Sequence, residues 1–181
     1  MNPKKMYRRN FSLLLSILSV SCHVAAQQGS APKSQELVAS TPYSIGAKRA
    51  GVVNCIGKIN QVTSFLTGTN ANSGMVLNSP DKNANKRIVS TVIEVGNNVS
   101  TSFVSASFAP GANESECSAS YDAVTYWPSS CQQVASTIFS AFKPVQPLLK
   151  SINLLDGGLY AKVFLMPAGS GCISIKKEMV Y

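Results

Sequence analysis

Residues 156–181 read Asp156-Gly-Gly-Leu-Tyr-Ala-Lys-Val-Phe-Leu-Met-Pro-Ala-Gly-Ser-Gly-Cys-Ile-Ser-Ile-Lys-Lys-Glu-Met-Val-Tyr181. Two runs rich in strand-forming residues, 160–166 and 172–181, flank a five-residue segment with two glycines, a composition typical of a hairpin loop. The stretch is therefore predicted to form a β-hairpin. Because a two-stranded hairpin is only marginally stable alone, the preceding chain must supply a surface on which it packs.

The N-terminal residues have the features of an export signal. Four lysine and arginine residues precede an apolar run at residues 11–20, and short residues follow it. This order predicts a signal peptide at residues 1–26, cleaved before Gln27. An N-terminal membrane anchor is an alternative, but the apolar run is shorter than the roughly 20 residues that a span requires. Acylation of Cys22 is a second alternative. The predicted location is the periplasm or the exterior of a bacterium, with no transmembrane segment in the mature chain.

Cleavage changes the chemistry that is open to the mature chain. It removes four of the sixteen basic residues and no acid, which leaves twelve bases against eight acids and a formal net charge of +4. It also removes His23, the only histidine. Ser-His-Asp and Cys-His catalysis, histidine general bases and histidine-containing zinc sites are thereby excluded. The modest charge, without interleaved basic and aromatic residues, argues against nucleic-acid binding.

The mature chain keeps four cysteines: Cys55, Cys117, Cys131 and Cys172. An even number in an exported chain predicts two disulfides, because thiols oxidise in that compartment. Of the three possible pairings, the favoured one joins Cys117 to Cys131 across a short loop and Cys55 to Cys172 across the domain. Zinc binding by the four thiolates is disfavoured because the sequence contains no Cys-x-x-Cys pair. No metal and no cofactor are predicted.

Composition and periodicity predict the organisation of the mature chain. Residues 27–43, rich in Gln, Ser, Ala, Pro and Lys, predict a flexible leader, and residues 44–181 predict a single domain,. Apolar spacing predicts helices over residues 45–66 and 130–141, the second with a capping pair at its start. In addition to the terminal hairpin, alternation or strand-forming composition predicts strands at residues 75–77, 87–95, 99–108, 117–127 and 151–155.

This order of elements predicts an α+β fold. We expect a two-layer domain in which two helices pack on an antiparallel sheet of about five to six strands, stabilised by disulfides. A profilin-like or cystatin-like arrangement has this order, an analogy of shape that carries no function.

Six residues are candidates for a binding site: Asp122, Tyr126, Trp127, Lys162, Lys176 and Lys177. Tyrosine and tryptophan are favoured where a partner removes them from water, so Tyr126 with Asp122 could rim a recognition patch. The three lysines could form a cationic patch suited to anionic lipid, polysaccharide or an acidic partner. The competing interpretations are that Trp127 packs under a helix and that the lysines protect an edge strand.

Two residue pairs are candidates for catalysis. Glu94 and Asp122, on neighbouring predicted strands, could act as paired glycosidase carboxylates, and Ser174 and Lys176 have the spacing of a Ser-Lys dyad on one strand. Because no catalytic motif accompanies either pair, we expect a non-catalytic binding or accessory protein that recognises a protein or a cell-envelope component. The alternatives are a small hydrolase that uses one of these pairs, and an assembly component that uses the C-terminal hairpin as a pairing edge.

Overall fold

A computed structural model describes residues 39–79, 83–96, 100–112 and 116–181. The predicted signal peptide and most of the predicted leader lie outside these residues. The described helices are α1 (Pro42–Arg49), α2 (Ile56–Thr67) and α3 (Cys131–Thr137), with a short 3-10 helix at Ala84–Lys86. The strands are β1 (Ala71–Leu77), β2 (Val89–Gly96), β3 (Thr101–Pro110), β4 (Cys117–Trp127), β5 (Lys143–Val145), β6 (Asn153–Asp156), β7 (Ala161–Ala168) and β8 (Gly171–Val180).

All eight of these strands belong to one antiparallel sheet with the order β1-β2-β3-β4-β8-β7-β6-β5. The first four strands form one meander and the last four form another, and the pairing of β4 with β8 joins them. The prediction of a two-layer domain with five to six strands and two helices is therefore wrong, and with it the profilin-like or cystatin-like arrangement. The described part of the chain is mostly sheet, with eight strands and three helices.

Of the two strands at the edges of the sheet, the sequence predicted only residues 75–77 of β1 and missed β5. β1 begins inside an Asn-, Ser- and Gly-rich stretch that composition assigned to a loop, yet it pairs with β2 from Ala71↔Gly96 to Leu77↔Ser90. β5 contains Pro144, which cannot donate a ladder hydrogen bond but is tolerated in a strand with a neighbour on one side only,. In both segments, pairing with an adjacent strand overrides local composition.

The predicted terminal hairpin is confirmed as β7 and β8, which pair from Ala161↔Glu178 to Ala168↔Gly171. Its loop is shorter than predicted, and Gly169 adopts φ 59, a left-handed conformation that favours glycine,. β8 also pairs with β4, and β7 also pairs with β6. Because both strands are paired on both sides, the hairpin lies inside the sheet and is not the pairing edge that the assembly alternative assumed.

The predicted helix over residues 45–66 is two helices. α1 is capped by Thr41, whose side-chain oxygen accepts a hydrogen bond from the Ser44 N–H,. After α1, Gly51 adopts φ 86, which interrupts the right-handed helical backbone,. α2 then continues the apolar spacing that the sequence predicted and buries Ile59 completely.

The second predicted helix is present as α3, but it ends earlier than predicted. The Ser130 side chain accepts a hydrogen bond from the Gln133 N–H at 3.3 Å, as the capping spacing predicted,. After Thr137 the chain turns, which allows Phe139 and Phe142 to pack edge to face with ring centres 5.8 Å apart. Both rings contact the buried residues beneath α3.

The three helices pack on the same face of the sheet and enclose two separate hydrophobic cores. The first core joins α1 and α2 to β2, β3 and β4 around Ile59 and Phe108. The second joins α3 to β6, β7 and β8 around Val134 and Leu165. The register pairs these faces continuously across β3, β4, β8 and β7, and directly paired residues share a face. We call this the helix-covered face and the opposite one the open face.

Each core contains one disulfide. Cys55, just before α2, is bonded to Cys117, the first residue of β4. Cys131, the first residue of α3, is bonded to Cys172 near the start of β8. The prediction of two disulfides is confirmed, but the predicted pairing of Cys117 with Cys131 and of Cys55 with Cys172 is wrong.

The length of β4 explains the observed pairing. Cys117 begins this strand and Cys131 follows its far end, so the 11 residues of β4 separate the two cysteines by roughly 35 Å. A disulfide requires Cα atoms within about 7 Å of each other. Cys172 pairs with Trp127 at the same far end, which brings it to Cys131 and keeps it away from Cys55.

Candidate functional site

Four of the six predicted binding residues lie together on the open face. Asp122 pairs with Lys177, and Lys177 pairs with Lys162 in the next strand, so these side chains form one row across β4, β8 and β7. Tyr126 lies four residues beyond Asp122 on β4 and faces the same way, because side chains of a strand alternate between its two faces. The sheet register thus gathers residues that sequence reasoning took from separate strands.

The charged side chains of the open face form an ionic row, which consists of Asp122, Lys177, Lys162, Asp156 and Lys143. Lys177 Nζ lies 2.9 Å from Asp122 Oδ2, and Lys162 Nζ lies 2.7 Å from Asp156 Oδ1. Hydrogen bonds from Lys162 and from the Gly158 N–H hold the pKa of Asp156 below its ordinary value. Exposed pairs of this kind add little to stability, so the row chiefly determines the charge pattern of the surface.

Beside the ionic row lies an apolar patch built from two further rows of side chains. The first row consists of Phe103, Val124, Ile175, Phe164 and Leu154, and the second of Tyr126, Ile173 and Met166. We call these eight residues the open-face patch. Phe103 is 53% exposed and Tyr126 is 50% exposed, and none of the eight is buried. The buried side chains of both cores come from the helix-covered face instead.

Gly171 fixes the position of the Tyr126 ring in this patch. A Cβ atom at residue 171 would lie 2.6 Å from the Tyr126 hydroxyl oxygen and would overlap the Trp127 carbonyl. The phenol ring therefore lies directly over the backbone of β8, an approach that only the missing side chain of glycine permits. Tyr126 presents a preset aromatic surface at the end of the patch.

The other two predicted binding residues, Trp127 and Lys176, lie on the helix-covered face. Trp127 packs against the second core and is paired with Cys172. Its indole Nε1 donates a hydrogen bond to Ser174 Oγ at 2.8 Å. The aromatic cluster that the sequence suggested is therefore divided, with Tyr126 on the open face and Trp127 packed beside the Cys131–Cys172 disulfide.

Lys176 forms a compact triad with Tyr121 and Glu178 between the two cores. Its Nζ lies 2.7 Å from Glu178 Oε2 and donates to the Tyr121 hydroxyl at 2.9 Å, and that hydroxyl donates to Glu178 Oε2 at 2.6 Å. The ammonium also lies 5.8 Å from the centre of the Phe65 ring, within cation–π range,. A cavity of about 300 Å³ adjoins the triad and is lined by Gln61, Val62, Phe65, Tyr121, Glu178 and Val180.

The environment of the triad favours a carboxylate beside an un-ionised phenol. Burial, together with the hydrogen bond to Glu178, raises the pKa of Tyr121 far above its ordinary value,. Burial also acts to raise the pKa of Glu178, but hydrogen bonds from Lys176 and Tyr121 outweigh it and hold this pKa below its ordinary value. Sequence reasoning missed this grouping because it depends on the register of β4 against β8. The only available signal was the alternation that places Lys176 and Glu178 on one face of β8.

The structure does not assemble either candidate catalytic pair. Glu94 and Asp122 share the open face, but β3 lies between their strands and their positions are offset along them, so their Cα atoms are roughly 12 Å apart,. Ser174 and Lys176 share the helix-covered face, but the Ser174 hydroxyl bonds to Trp127 and the Lys176 ammonium bonds to Glu178. Each member of the second pair is thus engaged by a different partner.

Comparison with known proteins gives no match to a family model, to a curated protein or to a solved structure. The fold and the site of the described residues define a class of protein in which an antiparallel sheet has three helices on one face and an amphipathic surface on the other. Within the described ranges, no three histidine, cysteine or acidic residues are grouped so as to hold a metal ion. The helices of these same ranges include none long and apolar enough to cross a membrane.

Proposed function

We propose that this chain is an exported bacterial, non-catalytic binding protein that holds a partner protein of the cell envelope on the open-face patch. The predicted signal peptide and the two disulfides support export to an oxidising compartment,. The single observation that carries the binding role is a contiguous group of eight apolar residues, two exposed and six partly exposed, on one face of a sheet whose other face is covered by helices.

The composition of the open-face patch suits a protein surface. Contiguous exposed apolar patches mark interaction sites, because a monomer gains nothing by leaving them in water. Protein interfaces are enriched in aromatic residues and methionine at their centre and polar at their rim, and the patch supplies Phe103, Phe164, Tyr126 and Met166 beside the ionic row. A small ligand would instead need a concave site that surrounds it.

Replacing Phe103 with Asp is expected to weaken partner binding at least tenfold. This substitution puts a charge among apolar groups that the partner would desolvate, and an aromatic residue that a partner buries commonly contributes on the order of 2 kcal/mol. Leu149→Asp is the matched control, because Leu149 is 86% exposed in the loop between β5 and β6, outside the patch. The measurement is capture of envelope proteins on the immobilised protein, followed by titration of each recovered protein.

A protein that binds wild type and Leu149→Asp equally but is lost with Phe103→Asp supports the proposal. Recovery of the same proteins by all three forms would contradict it. Turnover of glycoside, ester or peptide substrates by the purified protein would also contradict the non-catalytic assignment.

A further inference from the structure

The two edges of the sheet differ in how well they are protected against pairing. β5 has three residues and includes Lys143 and Pro144, two devices that block addition of another strand. β1 has seven residues with neither a charged residue nor a proline, and six of the seven are exposed. Among the described strands, β2 alone pairs with β1, on one side, so alternate N–H and C=O groups of β1 point outward from the sheet. β1 is the edge that is open to another strand.

A groove runs beside this edge, between α1 and β1. Its volume is about 350 Å³. It is lined by Tyr43 and Gly46 of α1, by Ala50 just after this helix, and by Gly74, Met75 and Val76 of β1. A strand added to β1 would direct every second side chain toward α1, into this groove.

Glycines line the groove on both sides, Gly46 in α1 and Gly74 in β1. At Gly74 a Cβ atom would overlap the Val92 carbonyl of β2, so the sheet itself requires glycine at this position. At Gly46 a Cβ atom would lie 3.4 Å from Val76 Cγ2, already in contact. At these two positions the groove is therefore bounded by backbone and receives no side chain.

The edge is also held in place before any strand is added. The Tyr43 hydroxyl of α1 donates a hydrogen bond to Asn72 Oδ1 of β1 at 2.8 Å, and Val76 packs against the first core. A preformed edge lowers the ordering cost of binding an extended segment.

We propose that β1 is a strand-addition site for an extended, uncharged segment of another polypeptide, which places a bulky apolar side chain in the groove between α1 and β1. Backbone hydrogen bonds to the outer edge of β1 provide affinity, and the groove provides side-chain selection. A second copy of this chain is a poorer occupant, because pairing β1 with β1 about its centre brings Gly74 to the groove and leaves it unfilled. This site is separate from the open-face patch and does not depend on it.

The test uses the exported protein, purified with its disulfides intact, and a phage-displayed library of random nonapeptides as the probe. Enriched peptides are expected to alternate polar and bulky apolar residues, and to slow amide hydrogen exchange in residues 71–77. The variant Gly46→Leu, which fills the groove, is expected to weaken these peptides at least tenfold. Gly57→Leu is the matched control, because Gly57 is also a helical glycine but a Cβ there meets nothing within 4 Å. The affinity of this variant for the enriched peptides is expected to stay within twofold of that of the wild type.

Three results of the peptide experiment would overturn the proposal. They are failure to enrich any peptide, enriched peptides that bind Gly46→Leu as tightly as wild type, and exchange protection confined to residues outside β1. A dimer in sedimentation that Gly46→Leu dissociates would assign the edge to a second copy instead. If Gly46→Leu does not fold, Ser73→Lys charges the edge directly and must produce the same loss of peptide affinity. Phe103→Asp leaves peptide binding unchanged, so failure here and failure of the partner protein proposal are distinguishable.

Discussion

Replacing both Cys131 and Cys172 with Ala is expected to lower the free energy of unfolding by about 4 kcal/mol. The disulfide closes a segment with a sequence separation of 41 residues, and a loop of that length loses about this much unfolded-state entropy when it is cross-linked. Both cysteines are also buried in the second core, which has six buried residues against fifteen in the first. A loss of this size is a large part of the stability of an ordinary domain.

The measurement is urea unfolding under non-oxidising conditions that leave the Cys55–Cys117 disulfide intact. Because the second core is the smaller one, amide exchange should accelerate first in α3 and β7, whereas α2 keeps its protection. The paired variant Cys55→Ala/Cys117→Ala provides the comparison, and there α2 should lose protection first. Two results would contradict this assignment of the disulfides. One is an unfolding free energy of the Cys131→Ala/Cys172→Ala variant within about 1 kcal/mol of wild type, and the other is a peptide map of the wild type that links Cys117 to Cys131.

Alternation was sufficient to predict the strands that have one buried face. β4 was predicted with the bounds it has, and the terminal hairpin was predicted apart from the length of its loop. Only residues 75–77 of the edge strand β1 could be predicted, because six of its seven residues are exposed and the segment has no buried apolar face,. The turn at Gly51 was missed because an isolated glycine within helical spacing is compatible with a continuous helix.

The disulfide pairing could have been derived from the sequence, since the predicted length of β4 already separates Cys117 from Cys131. The predicted pairing joined Cys117 to Cys131 because they close a short loop, but the residues between them form an extended strand that holds them apart.

The candidate site could be predicted only in part, because the sequence does not show which strands are neighbours in the sheet. Alternation shows which residues of one strand share a face, and so it relates Asp122 to Tyr126 and Lys176 to Glu178. It does not show which strands are neighbours. The adjacency of β4 and β8, whose segments are far apart in the chain, is what brings Asp122 to Lys177 on one face and Tyr121 to Glu178 on the other.

Replacing Lys176 with Met is expected to lower the free energy of unfolding by about 2 kcal/mol at neutral pH, because it leaves a half-buried charged group without its strongest partner. Glu178 would keep the hydrogen bond from Tyr121 but lose the ammonium at 2.7 Å. Methionine retains most of the apolar stem of lysine, so the decrease in the free energy of unfolding would come from the removal of the positive charge. Lys177→Met is the matched control one residue along β8. Its partner Asp122 is on the open face, and that exposed pair should contribute less than about 1 kcal/mol,.

The pH dependence separates the electrostatic effect from a loss of packing. In the wild type the pKa of Glu178 lies below its ordinary value, so its contribution to stability is present above the unfolded-state pKa and is lost as the pH falls through the folded-state pKa. In Lys176→Met, burial is opposed only by Tyr121, so the pKa of Glu178 rises. The difference between variant and wild type should therefore be largest at pH 7 and should shrink as the pH falls from about 5 to 3, where the carboxyl becomes neutral in both proteins. A difference that stays constant over this range would show that Lys176 stabilises the fold through its contacts with the rings of Phe65 and Tyr121 and not through Glu178.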